Sequence, residues 1–378
     1  MILSLSMNTG YTDAKNNSKP KRLRVGYLFA GSRLQALERV RRGENHGAGF
    51  WGMCHLDQFN IQADLIELEQ VYPRWFCRII RRYVPAYWSH LFIFWRFFSY
   101  DFIFASTGFG TQLFFTLLPM KRPFWVMYDF NITGFLGTGR LFRQKLFAFL
   151  VKRSAGIVTL SQKEVEMLKA RFPRLVDKIV FIPFGADTSF FVPRPVSEER
   201  SILAIGTDPD RDYKTLFAAC EGLNLSVIVT TRPDRLTPFN PLPSFVRIES
   251  YSPKELVEAY NRAAAVVIPL NTSRRLNDAM GCSTVHEALI MGKATIATRT
   301  FTLESYITSG ENGLLVEEGN VKELRDAIVS VMTDDRFRAR LAKNARTYAL
   351  THLEITSCTE RLAAFFKQLA HVYGITRS

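Results

Sequence analysis

Short apolar runs, each too brief for a helix and followed by a stretch with helical spacing, recur along the whole of this chain and dictate a layered α/β architecture. Residues 21–30 (KRLRVGYLFA), 63–67 (ADLIE), 100–106 (YDFIFAS), 124–129 (FWVMYD), 155–161 (AGIVTLS) and 178–183 (KIVFIP) read as the strands of a first half. A second series begins at 201–206 (SILAIG) and continues at 225–230, 246–250, 265–269, 294–298 and 313–316. Residues 254–264, 321–332, 336–348 and 359–373 carry apolar positions at helical spacing. Apolar strands separated by helices pair in parallel, with both faces of the sheet covered. At 378 residues the chain exceeds what one core can fill. Two doubly wound domains facing a cleft are therefore predicted, joined through 184–195, where FGAD leads into PRP.

Within the second half, Cys282-Ser283-Thr284-Val285-His286-Glu287 opens a two-turn helix that Gly292 stops before the strand at 294–298. A helix start offers unpaired N–H groups and a partial positive charge, which suit a phosphate or diphosphate. Glu287, one turn further in, can accept hydrogen bonds from sugar hydroxyls attached to that phosphate. The competing reading is a capping box between Thr284 and Glu287, at the S/T-x-x-E spacing. In the first half, Gly31-Ser32 ends the first strand, where an open α/β sheet places a ligand loop. No G-x-G-x-x-G follows, which argues against a dinucleotide-dependent dehydrogenase. His46, in the Gly-rich stretch 43–49, can meet an acceptor or stand solvated.

The formal net charge of +14 favours anionic partners. Residues 72–100 interleave Arg74, Arg78, Arg81, Arg82 and Arg96 with aromatic residues that include Trp75, Tyr83, Tyr87, Trp88, Phe92, Phe94, Trp95, Phe97 and Phe98. That mixture suits the surface of an anionic bilayer, or a helix that covers the sheet while its arginines reach solvent. No nucleic-acid motif accompanies it. Residues 85–120 contain no uninterrupted run of about 20 apolar residues, so a spanning helix is not expected. The polar residues 1–20 read as a frayed tail, and 1–7 are too short for a signal peptide. Five scattered cysteines show neither a disulfide framework nor zinc spacing and fit a reducing cytoplasm.

In its later elements the chain resembles the retaining GT-B glycosyltransferases, the "glycosyl transferases group 1" class or family 4. The resemblance rests on Ile182-Pro183-Phe184-Gly185-Ala186-Asp187 with Phe191-Val192-Pro193, similar to a hinge signature VPNGVD…F.P. It continues in Ile202–Gly206 with Arg211-Asp212-Tyr213-Lys214-Thr215-Leu216, in the Glu287 segment, and in Ser309-Gly310-Glu311-Asn312-Gly313-Leu314-Leu315-Val316. It implies two Rossmann-like domains: an acceptor domain over 21–192, with the helix 359–373 packing back on it, and a donor domain over 197–355. It further implies a nucleoside diphosphate-sugar as donor substrate; no metal or other cofactor is expected, because the helix dipole and Arg211 or Lys214 can carry the charge. By the same resemblance Glu287 holds the ribose, Ser283 and Thr284 contact the diphosphate, and Arg211 or Lys214 grips it.

Two departures stand out. Where the class has the first Glu of its E-x7-E motif, this chain has Ala279, with Asp278 beside it as a replacement candidate. The usual histidine of the first half is missing, and Tyr128-Asp129-Phe130-Asn131 stands there, leaving Asp129 either to orient an acceptor hydroxyl or to cap a turn. Expected is a hexosyltransferase acting on a glycan or lipid-linked acceptor in cell-envelope polysaccharide or glycolipid synthesis. It would be cytoplasmic, at the inner face of the plasma membrane if peripheral. A non-catalytic GT-B partner that binds nucleotide or glycan is the alternative, motivated by Ala279. A sugar-nucleotide epimerase would need more carboxylates and a histidine in the cleft.

Overall fold

The computed structural model describes residues 22–118, 123–128, 132–137, 141–272 and 279–375. Asp129 and Asp278 lie outside them. In the first half β1 (Leu23–Leu28), β2 (Ile61–Leu65), β3 (Phe102–Ala105), β4 (Phe124–Tyr128), β5 (Gly156–Thr159) and β6 (Ile179–Phe181) form one sheet, in the order β2-β1-β3-β4-β5-β6. Every pairing in it is parallel. The helices are α1 (Leu34–Arg41), α2 (Arg74–Tyr83), α3 (Ala86–Ser89), α4 (Phe109–Leu117), α5 (Ile132–Gly137), α6 (Leu141–Arg153) and α7 (Gln162–Arg171).

The second half repeats the plan. β7 (Glu199–Ile205), β8 (Ser226–Thr230), β9 (Val246–Ile248), β10 (Ala263–Ile268), β11 (Ala294–Thr298) and β12 (Leu314–Val316) run in the order β12-β11-β10-β7-β8-β9. Their pairings are parallel too. Around them lie α8 (Tyr213–Cys220), α9 (Pro253–Arg262), α10 (Cys282–Ile290), α11 (Val321–Thr333) and α12 (Asp335–His352). All six residues of β10 are buried, which is what an apolar AAAVVI run at a sheet centre requires. α9 starts at Pro253, one residue before the sequence reading, because Ser252 and Glu255 close a capping box around that proline at the first helical position.

The last helix, α13 (Ile355–Val372), returns to the first sheet. Its Phe366 is fully buried, with ring centroids 5.6 Å from both Phe102 and Phe104. The two crossings between the halves lie side by side. The Ala186 N–H donates to the Leu353 carbonyl at 2.6 Å, and the Ile355 N–H donates back to the Ala186 carbonyl at 3.0 Å. Away from this hinge, the Tyr306 hydroxyl donates to the Leu160 carbonyl at 2.6 Å and the Ser161 hydroxyl to the Phe301 carbonyl at 3.2 Å. Between the hinge and these contacts lies a cavity lined from both halves.

The aromatic stretch 72–100 is less regular than its composition predicts. α2 and α3 each follow a proline, Pro73 and Pro85, and a 3-10 run over His90–Ser99 is broken at Ile93. Apolar residues occupy both of its faces: Ile93 and Phe97 are buried, whereas Phe94, Trp95 and Phe98 are exposed. Without a single apolar stripe, no one helix orientation buries the segment.

Candidate functional site

The site is built where β7 and β10 end. The loop after β7 is clipped to the end of β10: Arg211 bridges to Leu270, and the Asp212 N–H donates to the Pro269 carbonyl at 3.1 Å. This brings Arg211 against the start of α10. Gly281, in the left-handed conformation, is the N-cap of α10, and no side-chain cap bond is made there among the described residues. Ser283 and Thr284 are its second and third residues, positions whose N–H groups have no partner inside a helix. The capping-box alternative therefore fails: the N-cap lies three residues before Thr284, too early for the Thr284–Glu287 pairing. The Thr284 hydroxyl instead accepts a bond from Arg211 Nη2 at 3.3 Å.

Arg211 is only 9% exposed, and its Nε and Nη1 have no hydrogen-bond partner among the described residues. Burial pulls the guanidinium pKa down, while Tyr213, Asp208, Tyr260 and Glu287 act in the opposite direction. A buried cation with open N–H groups is costly unless an anion completes it. Gly206 makes the space for it. A Cβ on Gly206 would stand 2.1 Å from Arg211 Nε, at a φ of +152° that L side chains rarely adopt. The Gly206 carbonyl is fixed by the Thr231 hydroxyl at 2.6 Å and the Tyr213 hydroxyl at 3.1 Å. Gly206→Ala is expected to expel the guanidinium and lower nucleoside diphosphate affinity at least tenfold, measured by calorimetric titration. Unchanged affinity would show that Arg211 is not a ligand group.

Glu287 lies one turn into α10 and accepts a bond from the Tyr260 hydroxyl at 2.9 Å. Burial pushes its carboxyl up to about 7, against the opposing pull of the Tyr260 bond and the Arg211 charge. The side chain lines a cavity of about 250 Å³ between the two halves. The second half contributes Ala279, Ser283 and Glu287 to this cavity, and the first contributes Arg33, His46 and Trp51.

His46 reaches the cavity with its ring against Phe191, centroids 5.0 Å apart. Burial lowers its pKa, Asp187 partly countering, which favours the neutral imidazole. The other first-half loop residues are placed differently. Gly31 is exposed with open space around it, and Ser32 donates to Glu67 Oε2 at 2.6 Å, tying its loop to the end of β2. The neighbouring Arg33 lines the cavity instead. Lys214 is exposed on the opening turn of α8, whereas Arg211 is inside.

Sequence reasoning passed over Gly206, Tyr260 and His286. His286 is fully buried, with ring centroids 4.6 Å from both Phe184 and Tyr306, and burial lowers its pKa to about 3. Its position beside Glu287 was the available signal. Tyr260 had none, since only the packing of α9 against α10 places its hydroxyl. Among the described residues, no group of three or more His, Cys, Asp or Glu side chains is arranged to hold a metal ion.

Comparison with known proteins places this geometry. Residues 245–348, from β9 into α12 with the whole of α10, match the family model "Glycosyl transferases group 1". A D-inositol 3-phosphate glycosyltransferase of Corynebacterium glutamicum is 32% identical over 99 residues. That match takes in 26% of this chain and only 22% of the relative's length. Sucrose-phosphate synthase from Thermosynechococcus elongatus superposes with a TM-score of 0.69 at 16% identity, covering 93% of this chain and 100% of that one. Anabaena HepE in complex with UDP and glucose gives a TM-score of 0.65 at 14% identity, covering 92% and 99%. The same protein in complex with UDP-glucose gives 0.64. The chain thus has the two-sheet fold of the GT-B glycosyltransferases, and its residues 245–348 are similar to the glycosyl transferases group 1 family.

Proposed function

We propose that this chain is a retaining hexosyltransferase that moves a sugar from a nucleoside diphosphate to a hydroxyl of a lipid-linked glycan during envelope polysaccharide or glycolipid synthesis. One observation carries the reading: the buried guanidinium of Arg211, with two open N–H positions, beside the uncapped start of α10. Together they put positive charge where a diphosphate would bind. Ser283 and Thr284 would meet the phosphate oxygens and Glu287 the ribose hydroxyls. In the transfer, the bond from the anomeric carbon to the β-phosphate oxygen breaks and a bond to the acceptor oxygen forms. The acceptor proton passes to the departing phosphate. Preorganised positive charge at that oxygen supplies most of the rate.

Asp278 is proposed to take the place left by Ala279 beside the transferred sugar, and Asp129 to orient the acceptor hydroxyl. His46, in the cavity wall and held toward its neutral form by burial, would meet the acceptor. The UDP and UDP-glucose held by HepE make uridine donors the first to test.

A membrane-bound acceptor is supported by α2. Cys77 and Ile80 bury its inner face. Outward, Trp75, Ile79 and Tyr83 are 63%, 47% and 74% exposed at four-residue intervals, with Arg74, Arg78 and Arg82 alongside. Such a face suits a negatively charged bilayer surface, here the cytoplasmic leaflet. No helix among the described residues is long and apolar enough to cross a membrane.

Purified protein given radiolabelled UDP-sugars and lipid extract is expected to transfer label to the lipid fraction, and Glu287→Ala to reduce this about 100-fold or more, through loss of bonds to a charged acceptor. Nucleotide binding without transfer or hydrolysis of any donor would favour the alternative suggested by Ala279, a binding partner without catalysis.

A further inference from the structure

Between α4 and α6 lies an apolar groove of about 200 Å³, outside the nucleotide site. Its floor is Phe147 and Leu150, both buried, and its rim is Tyr87 and Trp88, 36% and 40% exposed. The aromatic walls are mutually braced. Phe147 meets Phe109 at 4.9 Å and Phe135 at 5.1 Å, while Tyr87 stacks on Phe109 at 5.6 Å. Gly110 lets Trp88 lie flat on α4, because a Cβ there would stand 2.2 Å from the indole. Among the described residues Arg143 is the one charged residue lining the groove. Its guanidinium lies 5.4 Å from the centre of the Phe135 ring, and it makes no salt bridge among the described residues.

The topology gives this groove a direction. α4 leaves the carboxyl end of β3, and α6 runs down to Ser154 before the start of β5. Phe109 and Arg143 therefore lie at the edge of the sheet that faces the interdomain cleft, and Leu113 and Leu150 lie deeper. From Arg143 to Leu150 the groove extends about 10 Å along α6. An apolar trough with the Arg143 cation at its cleft-side mouth is complementary to a hydrocarbon chain ending in a phosphate. Tyr87 and Trp88 also continue the exposed aromatic surface of Phe92, Phe94, Trp95 and Phe98.

We propose that this groove holds the hydrocarbon chain of the acceptor lipid, with its phosphate on Arg143 and its glycan directed to the cleft. The proposal rests on the reading of the acceptor as lipid-linked and names the part of the chain that selects it. The test is calorimetric titration with dodecyl phosphate below its micellar concentration, with inorganic phosphate as control. Wild type is expected to bind dodecyl phosphate and not inorganic phosphate. Leu113→Trp, which fills the groove, is expected to weaken binding at least tenfold, and Arg143→Gln about tenfold, both with unchanged circular dichroism and melting temperature.

Failure of wild type to bind dodecyl phosphate would overturn the proposal, as would variants that bind it as tightly as wild type. Binding of phosphatidylglycerol vesicles without binding of the free amphiphile would overturn it too, in favour of surface docking alone. Nucleotide titrations run in parallel separate the two ideas. Loss of nucleotide binding contradicts the donor site and leaves the groove standing, and the converse result does the opposite.

Discussion

Arg211→Met is expected to stabilise the unliganded protein while destroying its affinity for nucleoside diphosphates. The guanidinium is nearly out of contact with solvent, yet two of its nitrogens bond to nothing among the described residues. Holding a cation in that condition costs stability, and the downward displacement of its pKa by burial has the same origin. An unbranched apolar side chain fits the Gly206 hollow without that penalty, so unfolding free energy should rise by about 1–2 kcal/mol. Diphosphate binding loses its buried charge-assisted bonds, and transfer should fall about 10²–10³-fold. Denaturant unfolding and calorimetric titration on the same preparations read both quantities. A variant that is less stable than wild type, or that binds nucleotide normally, contradicts the role given to Arg211.

The second large effect concerns pH. Glu287 has its carboxyl raised to about 7 in the folded protein, from an ordinary value near 4.5. In the unliganded state its protonated form is favoured. The associated stability is fully present below about pH 4.5 and is lost as pH rises through about 7. Ribose hydroxyls reverse the preference, because they donate best to the carboxylate. UDP-glucose affinity should therefore climb up to about tenfold between pH 6 and pH 8, where the donor's own diphosphate does not titrate. Glu287→Gln removes the dependence, leaving a flat and weaker profile. A wild-type profile that is flat, or that falls over this interval, excludes Glu287 as the titrating ligand.

The fold was largely written in the sequence. Each of the twelve strands sits on an apolar run that stands out in the chain, because a parallel strand buried on both faces cannot be disguised. Boundaries slipped where hydrogen bonding rather than composition ends a strand. Residues 63–67 were legible as a strand, yet pairing with β1 begins at Ile61 and ends at Leu65, and Glu67 turns back to hold Ser32.

The site was legible in part. Arg211, Ser283, Thr284 and Glu287 converge, since a helix start and a strand-end loop carry their own signals. What no local pattern could disclose was the shape of the space. Gly206 as the hollow for a guanidinium, Tyr260 as the tether of Glu287 and Arg33 in place of Gly31 and Ser32 all depend on contacts between distant segments. The aromatic stretch was ambiguous for a related reason: composition says that it is apolar and basic, and only packing says which rings stay outside.

The most direct measurement is a crystal structure with UDP or a UDP-sugar bound. The account predicts the diphosphate on the first-turn N–H groups of α10, within hydrogen-bond distance of Arg211, and ribose hydroxyls on Glu287. A second basic hollow offers a real competitor: Lys152, Arg153, Arg171 and Arg174 line a cleft of about 840 Å³ at the far end of α6. Nucleotide density there, with the α10 pocket empty, would contradict the account.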